Sequence, residues 1–471
     1  RLYGGRAVSA RILDRQQHYA EALPSYQKAL RLYRQASDRD GEGNALNNIG
    51  MVCKGAGRYP EALQNYHDAL KIKRDLGDRK GEAQCLNNIG NVYAATGRYA
   101  EALENFQDSL KIKRDLRDRK GEAQTLNNIG NVYTDTGKYT EALQHLLDSL
   151  KIRRDLGDRA GEAEDLNNIG IVYEHTGHYA EALQNCQDGL KVYRDLGDRK
   201  GEAASFINIG LVYEDTGRYP QALQNYHDAL KIKGDLGDRQ GEAHALGNIG
   251  NLYGDTGRYA EALQNHQDSL KIARDLGDRL GEAQSLNSIG IVYWATGRYG
   301  EALRNYQDAL KIKRDLGDRK EEAGALGNIG VVYFATGRYA EALQNHQDSL
   351  KICRELGDRQ GEAMALGNIG NVFAETGRYA EALQNFEGSL KIARDLGDRK
   401  GEASILNNVG SVCDRAGRYE EALQNIQDSL QIKRDLGDRQ GEASALGNIG
   451  IIFGKTGNHD EALRQLEKGL D

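Results

Sequence analysis

Forty residues from Gly81 to Lys120, GEAQCLNNIGNVYAATGRYAEALENFQDSLKIKRDLRDRK, begin again with few changes at Gly121, Gly161, Gly201 and onward to Gly441. Self-similarity at a fixed period of roughly 20 to 50 residues restricts a chain to a solenoid or similar array, because one unit cannot bury its own apolar face and must stack on neighbours. The repeat therefore sets the frame for every other feature.

Within one unit, Leu86, Ile89, Val92 and Tyr93 recur at helical spacing and not in the alternation of a strand. This is helix A, with Asp78 as its N-cap, Glu82 where the helix dipole favours an acid, and Gly97 just past the last turn. Tyr99, Ala102, Leu103, Phe106, Leu110 and Ile112 mark helix B, which runs to Leu116 and in most units stops at a glycine such as Gly77. The short turn between the helices makes them antiparallel neighbours, so each unit is a helical hairpin and the chain is all-α. Gly90 and its equivalents are expected to let the two helices approach closely.

The pattern Leu86-x-x-Ile89-Gly90-x-x-Tyr93 followed by Gly97-x-Tyr99-x-x-Ala102 resembles the tetratricopeptide repeat. The usual repeat is about 34 residues long; the longer unit here is similar to the Pins/LGN scaffold proteins, to bacterial multidomain regulators and, more distantly, to kinesin light chain. The resemblance covers essentially the whole chain and implies a right-handed superhelical α-solenoid. Residues 1–40 form a degenerate first unit: helix B is recognisable from Tyr19 to Leu32, but Arg6, Ser9, Ala10 and Leu13 occupy the helix A slots. Ten full units span 41–440, and a last unit, 441–471, ends with helix B. The absence of a starting methionine and of a polar capping helix reads as a piece of something longer, with apolar faces at both ends that favour end-to-end self-association. No contact between distant repeats is expected, so unfolding should be broad or multistep.

A net charge of −7 argues against a general nucleic-acid or anionic-membrane binder, which needs a basic face. No run of 18 apolar residues occurs. Cys53, Cys85, Cys186, Cys353 and Cys413 show neither pairing nor metal spacing, which points to a reduced, cytoplasmic setting. The charges that recur on helix B and the connector, such as Lys111, Arg114, Asp115 and Asp118, read mostly as a solvated outer face. There is no phosphate-binding loop, HExxH pair or nucleophile elbow. The histidines are scattered, with His266 and His346 sharing a slot two repeats apart. No catalytic residue, cofactor or metal is assigned.

A helical wheel places the slots of Leu86, Ile89, Gly90 and Tyr93 toward helix B and leaves an opposite stripe made by the slots of Gln84, Asn88, Asn91 and Ala95. In the family this face lines the concave groove, so the candidate partner-binding residues lie on it or on its flank. One slot is nearly invariant between copies: Asn48, Asn88, Asn128, Asn168, Asn208, Asn248, Asn328, Asn368, Asn408 and Asn448, broken by Ser288. A mid-helix asparagine has poor helix propensity, while its amide offers a donor and an acceptor to an extended peptide backbone. An inter-repeat hydrogen bond is the competing reading. The next slot of the stripe varies and includes Asn91, Asn131, Asn251 and Asn371. Asp135, Glu164, Glu174, Glu214, Asp215 and Asp255 make the middle acidic, and Ile291, Trp294, Val331 and Phe334 follow as apolar residues that are either binding hot spots or helix packing.

Together these features predict a non-enzymatic scaffold whose groove holds an extended peptide or a partner domain, with a basic segment against the acids and an apolar anchor against the aromatics. The alternative is the sensor or regulatory arm of a larger ATPase- or protease-linked signalling protein. A consensus-like engineered array is disfavoured by idiosyncratic changes at Arg117, Gly234 and Glu321.

Overall fold

The computed structural model describes residues 19–469. Among these residues every regular element is a helix, 23 in all, from Tyr19–Gln35 to His459–Lys468. Helix A of the second full unit is Arg79–Ala95 and helix B is Tyr99–Asp115, and the pair is repeated along the chain. The start signal is local: the Asp78 carboxylate accepts from the Gly81 N–H at 2.9 Å, satisfying a donor that the helix leaves open. Gly97 follows helix A at φ +76°, a left-handed conformation that costs glycine little. Where helix B ends before Gly77 in one unit, the next has Arg117 at φ +55°, a strained position for a residue with a side chain. Pro60 and Pro220 sit in the first turn of their helices, whereas Pro24 lies inside Tyr19–Gln35. The helix A slots of the first unit, Arg6 to Leu13, fall outside the described residues.

Within a hairpin the helices approach through glycine, as expected. A side chain at Gly90 would put its Cβ 2.6 Å from the Phe106 ring. Phe106 shares its slot with Tyr66, Tyr226, Phe386 and, in two units, with His266 and His346, all buried. Between hairpins the joint is ionic. Glu82 is buried and accepts from Arg74 at 2.9 Å and from Arg79 at 2.8 Å, so one carboxylate ties the end of helix B to the start of the next helix A. Arg114 and Arg119 on Glu122, and Arg394 and Arg399 on Glu402, repeat the clamp. Of the charges read as an outer face, Lys111, Arg114 and Asp115 are exposed and Asp118 is half-buried, while the acid that receives the arginines belongs to helix A and is buried. Lys113 is buried as well, donates to the Thr125 hydroxyl at 2.7 Å, and burial pulls its pKa down to about 8.

The chain divides into two units, 1–325 and 326–471. In the second, Leu366, Ile369, Phe386 and Ile392 form one core cluster, and Cys413, Ile426, Ile449 and Ile452 form another. The first unit contains a contact that the repeat pattern does not predict. Its principal core cluster joins Ile49, Tyr59, Tyr66 and Ile89 to Leu286, Ile312 and Leu316, so repeats more than two hundred residues apart pack together. Leu316 is 6% exposed, while the equivalent leucines from Leu76 to Leu276 are 43–49% exposed. Tyr59 and Tyr99 are 5% and 3% exposed, against 40%, 37% and 37% for Tyr219, Tyr259 and Tyr299. The expectation that no distant repeats touch is therefore corrected for the first unit. Curvature accumulated over several hairpins brings the end of one helix B onto the A–B turn of earlier ones.

Candidate functional site

The asparagine slot of helix A is half-buried in most units, and several of its amides are already engaged. The Nδ2 groups of Asn88, Asn128 and Asn448 donate to Oδ1 of Asn47, Asn87 and Asn407 on the preceding helix A, at 2.9, 3.2 and 3.0 Å. Asn408, preceded by Gly367 in the accepting slot, donates to Asn371 instead, at 3.4 Å. Asn248 and Asn368 face a slot occupied by Ile207 and Gly327, which offer no side-chain oxygen. Asn48, Asn168, Asn208 and Asn328 are also half-buried. Of the next slot, Asn91, Asn131 and Asn371 are half-buried and Asn251 is exposed, with Asn131 donating to Asn127 at 3.3 Å.

Beneath this stripe runs a polar network that sequence reasoning missed. Asp165 is fully buried, accepts from Asn127 at 2.6 Å and from Ser149 at 2.7 Å, and lies 3.2 Å from the Arg153 guanidinium. Burial nevertheless pushes its carboxyl up to about 6. Arg153 also pairs with Glu164 at 2.8 Å, so this predicted groove acid has an internal counter-ion. Thr125 with Asn87 and Asn167 with Ser205 repeat the link across neighbouring joints. The available signal was a pairing of residues 38 positions apart: Asn87, Asn127 and Asn167 each precede a polar residue, Thr125, Asp165 or Ser205.

The other acids meet one another. Glu174 lies within hydrogen-bonding reach of Asp215 on the next helix A, and Glu214 within reach of Asp255. Burial first, and then Asp215, push Glu174 up to about 8; burial and Asp255 push Glu214 up to about 7, against the Tyr226 hydroxyl that donates to it at 2.5 Å. His175 stands 3.4 Å from Glu174. Asp135 is exposed at its helix end, close enough for Lys320 to act on its carboxylate. In the second unit the two slots that hold Glu174 and Asp215 hold Asp414 and Lys455, which pair at 2.6 Å.

Trp294 and Ile291 are 40% and 46% exposed in the first unit. In the second, Val331 and Phe334 are half-buried, and Phe334 packs edge-on against Tyr339 with ring centroids 5.7 Å apart. Crevices of about 430 and 510 Å³ lie elsewhere, around Leu190 and Phe206 and around Leu270 and Leu286, at equivalent joints two repeats apart. The five cysteines are free and buried. Among the described residues no group of three or more His, Cys, Asp or Glu could hold a metal ion, and no helix is long and apolar enough to cross a membrane.

A tetratricopeptide repeat family model matches residues 9–75, 43–115, 121–195, 166–235, 201–275, 241–315, 321–395 and 401–471, and a second tetratricopeptide model matches 287–353. No curated protein matches the sequence. Among solved structures, a signal transduction ATPase with numerous domains and a tetratricopeptide repeat sensor, from Pyrococcus horikoshii, is 14% identical with a TM-score of 0.50, covering 74% of this chain and 52% of that one. BtubC from P. vanneervenii is 18% identical with a TM-score of 0.41, covering 45% and 89%. A Rap protein complexed with competence and sporulation factor is 15% identical with a TM-score of 0.46, covering 74% and 99%. With a repeated motif matched over nearly its whole length and stacked helical hairpins throughout the described residues, the chain belongs to the tetratricopeptide repeat family.

Proposed function

We propose that the exposed stripe of the A helices is a non-catalytic docking groove for an extended segment of a partner protein, and that a basic part of the segment lies over Glu174, Asp215, Glu214 and Asp255. The observation that carries this reading is the difference between equivalent joints. Asp414 has Lys455 as its neighbour, while Glu174 and Glu214 each have a second carboxyl. Two adjoining carboxyls resist ionising together, and a lysine or arginine of a partner supplies the charge that Lys455 supplies internally. Trp294 and Ile291, exposed on the same unit, offer the surface for a bulky apolar anchor. The long repeat and its asparagine-lined face fit the Pins/LGN type of scaffold. A sensor arm of a larger signalling protein would use the same groove and differ in what flanks it.

The test is a fluorescence-anisotropy titration of the full chain with an extended lysine-rich peptide carrying one aromatic residue. Because binding a cation displaces the shared protons, affinity should rise with pH through the range set by Glu214 at about 7 and Glu174 at about 8. Asp215→Lys with Asp255→Lys places an ammonium inside each pair and should weaken binding by about tenfold or more, while raising thermal stability. Trp294→Ala should cost about 2 kcal/mol of binding. Affinity that ignores both pH and the lysine substitutions defeats the proposal.

A further inference from the structure

The contact inside the first unit is made from parts that recur where nothing covers them. One side is the end of a helix B and its connector, Leu316-Gly317-Asp318-Arg319-Lys320; the other is the A–B turn, Gly57-Arg58-Tyr59-Pro60, with its neighbour Gly97-Arg98-Tyr99. Glycine makes the fit possible at one of the two turns: a Cβ at Gly97 would lie only 2.5 Å from the Lys320 Cβ, whereas one at Gly57 would make ordinary contact with Leu316 at 3.4 Å. Lys320 stands 5.3 Å from the centroid of the Tyr99 ring and acts on Asp135, while burial and then Asp318 push the Tyr59 hydroxyl up to about 12. The contact is thus apolar at its centre and has a lysine facing an acid at its edge.

Each side has free copies in the same unit. The sequence LGDRK of 316–320 recurs at 76–80 and 196–200, and GRYP of 57–60 recurs at 217–220. The counterpart of Asp135, counted from Tyr259 as Asp135 is from Tyr99, is Ala295, so the apolar part of the contact is what recurs there. Leu76, Leu196, Tyr219 and Tyr259 are nevertheless exposed. We propose that a second copy of this chain seats one of its two free leucine ends, Leu76 to Lys80 or Leu196 to Lys200, on the consecutive turns of the first copy at Tyr219 and Tyr259. The interface repeats the leucine-on-tyrosine centre of the internal one. It joins two different surfaces, so each added copy offers a new free edge and association is open-ended. This interface lies on the sides of the hairpins and is separate from their terminal faces.

The test uses sedimentation velocity on the full chain over a wide concentration range, with three samples. Wild-type protein should grow past the dimer as concentration rises. Leu76→Glu with Leu196→Glu removes one edge, and Tyr219→Glu with Tyr259→Glu removes the other; each variant alone should stay monomeric with unchanged helical circular dichroism, since these side chains are exposed. An equimolar mixture of the two variants retains one intact edge of each kind and should stop at the dimer. A wild-type chain that is monomeric throughout, variants that associate like wild type, or a mixture that stays monomeric while wild type associates would each overturn the proposal. Loss of peptide binding in the groove would leave all three readouts unmoved, so the two proposals fail independently.

Discussion

His266 fills a slot that Phe106 and Phe386 fill in other units, with its ring packed where a Cβ on Gly250 would come within 2.6 Å. Burial alone pulls its pKa from 6.5 to about 4. The folded protein therefore holds the neutral ring, while the unfolded chain takes up a proton as pH falls below 6.5. The stability contributed by the neutral ring is fully present above that pH and is lost down to about 4, a total of about 3 kcal/mol; near pH 5 about 2 kcal/mol has gone. His266→Phe removes the titration and keeps a ring that the slot accepts elsewhere. Urea denaturation followed through Trp294, the single tryptophan and a reporter of the first unit, should show the variant gaining about 2 kcal/mol over wild type on going from neutral pH to pH 5. The raised carboxyls Asp165, Glu174 and Glu214 titrate in both proteins and cancel in the difference. A difference that stays constant with pH would show that the His266 ring is hydrated or partnered in the folded state, and the burial argument would be wrong.

Leu316→Lys should destabilise the first unit by about 2 kcal/mol, while Leu276→Lys, the same slot left exposed, should cost almost nothing; equal effects would deny the internal contact. Arg117→Gly should stabilise by about 1 kcal/mol in thermal denaturation, because the left-handed backbone at φ +55° penalises a side chain. Asn248→Ala, facing Ile207, should weaken extended ligands with no change in melting, whereas Asn128→Ala should also cost about 1 kcal/mol of stability through its bond to Asn87. If Asn248→Ala melts earlier and binds normally, the amide serves the joints and not a ligand.

What the sequence made legible is what neighbours in the chain decide. The forty-residue period, the Asp78 cap, the turn at Gly97 and the close approach at Gly90 all rest on residues within one unit. The asparagine row was visible, with an inter-repeat bond as one of its two readings, but which amides are bonded was not, because Asn88 reaches Asn47 only once two A helices are in register. Asp165 drew no notice, since its three partners lie on two other helices, Asn127 on one and Ser149 with Arg153 on the next. Leu316 could not be told from Leu276 at all. Their slots match, and what distinguishes them is curvature summed over many joints, each set by small differences in packing.

The arginine clamp on Glu82 and its equivalents bears on how such a chain changes over time. Apart from the joint at Gly234, where Glu242 keeps Arg239 alone, the joints are closed by the same three side chains, so a gene that loses or gains one whole unit rebuilds a matching joint at the seam. Deleting a unit between Tyr59 and Leu316 would shift Leu356 into the register of Leu316, keeping the leucine while putting Gln360 in the place of Lys320. Unequal crossing-over can therefore alter the reach of the groove and the number of free edges in single steps, without passing through an unfolded product.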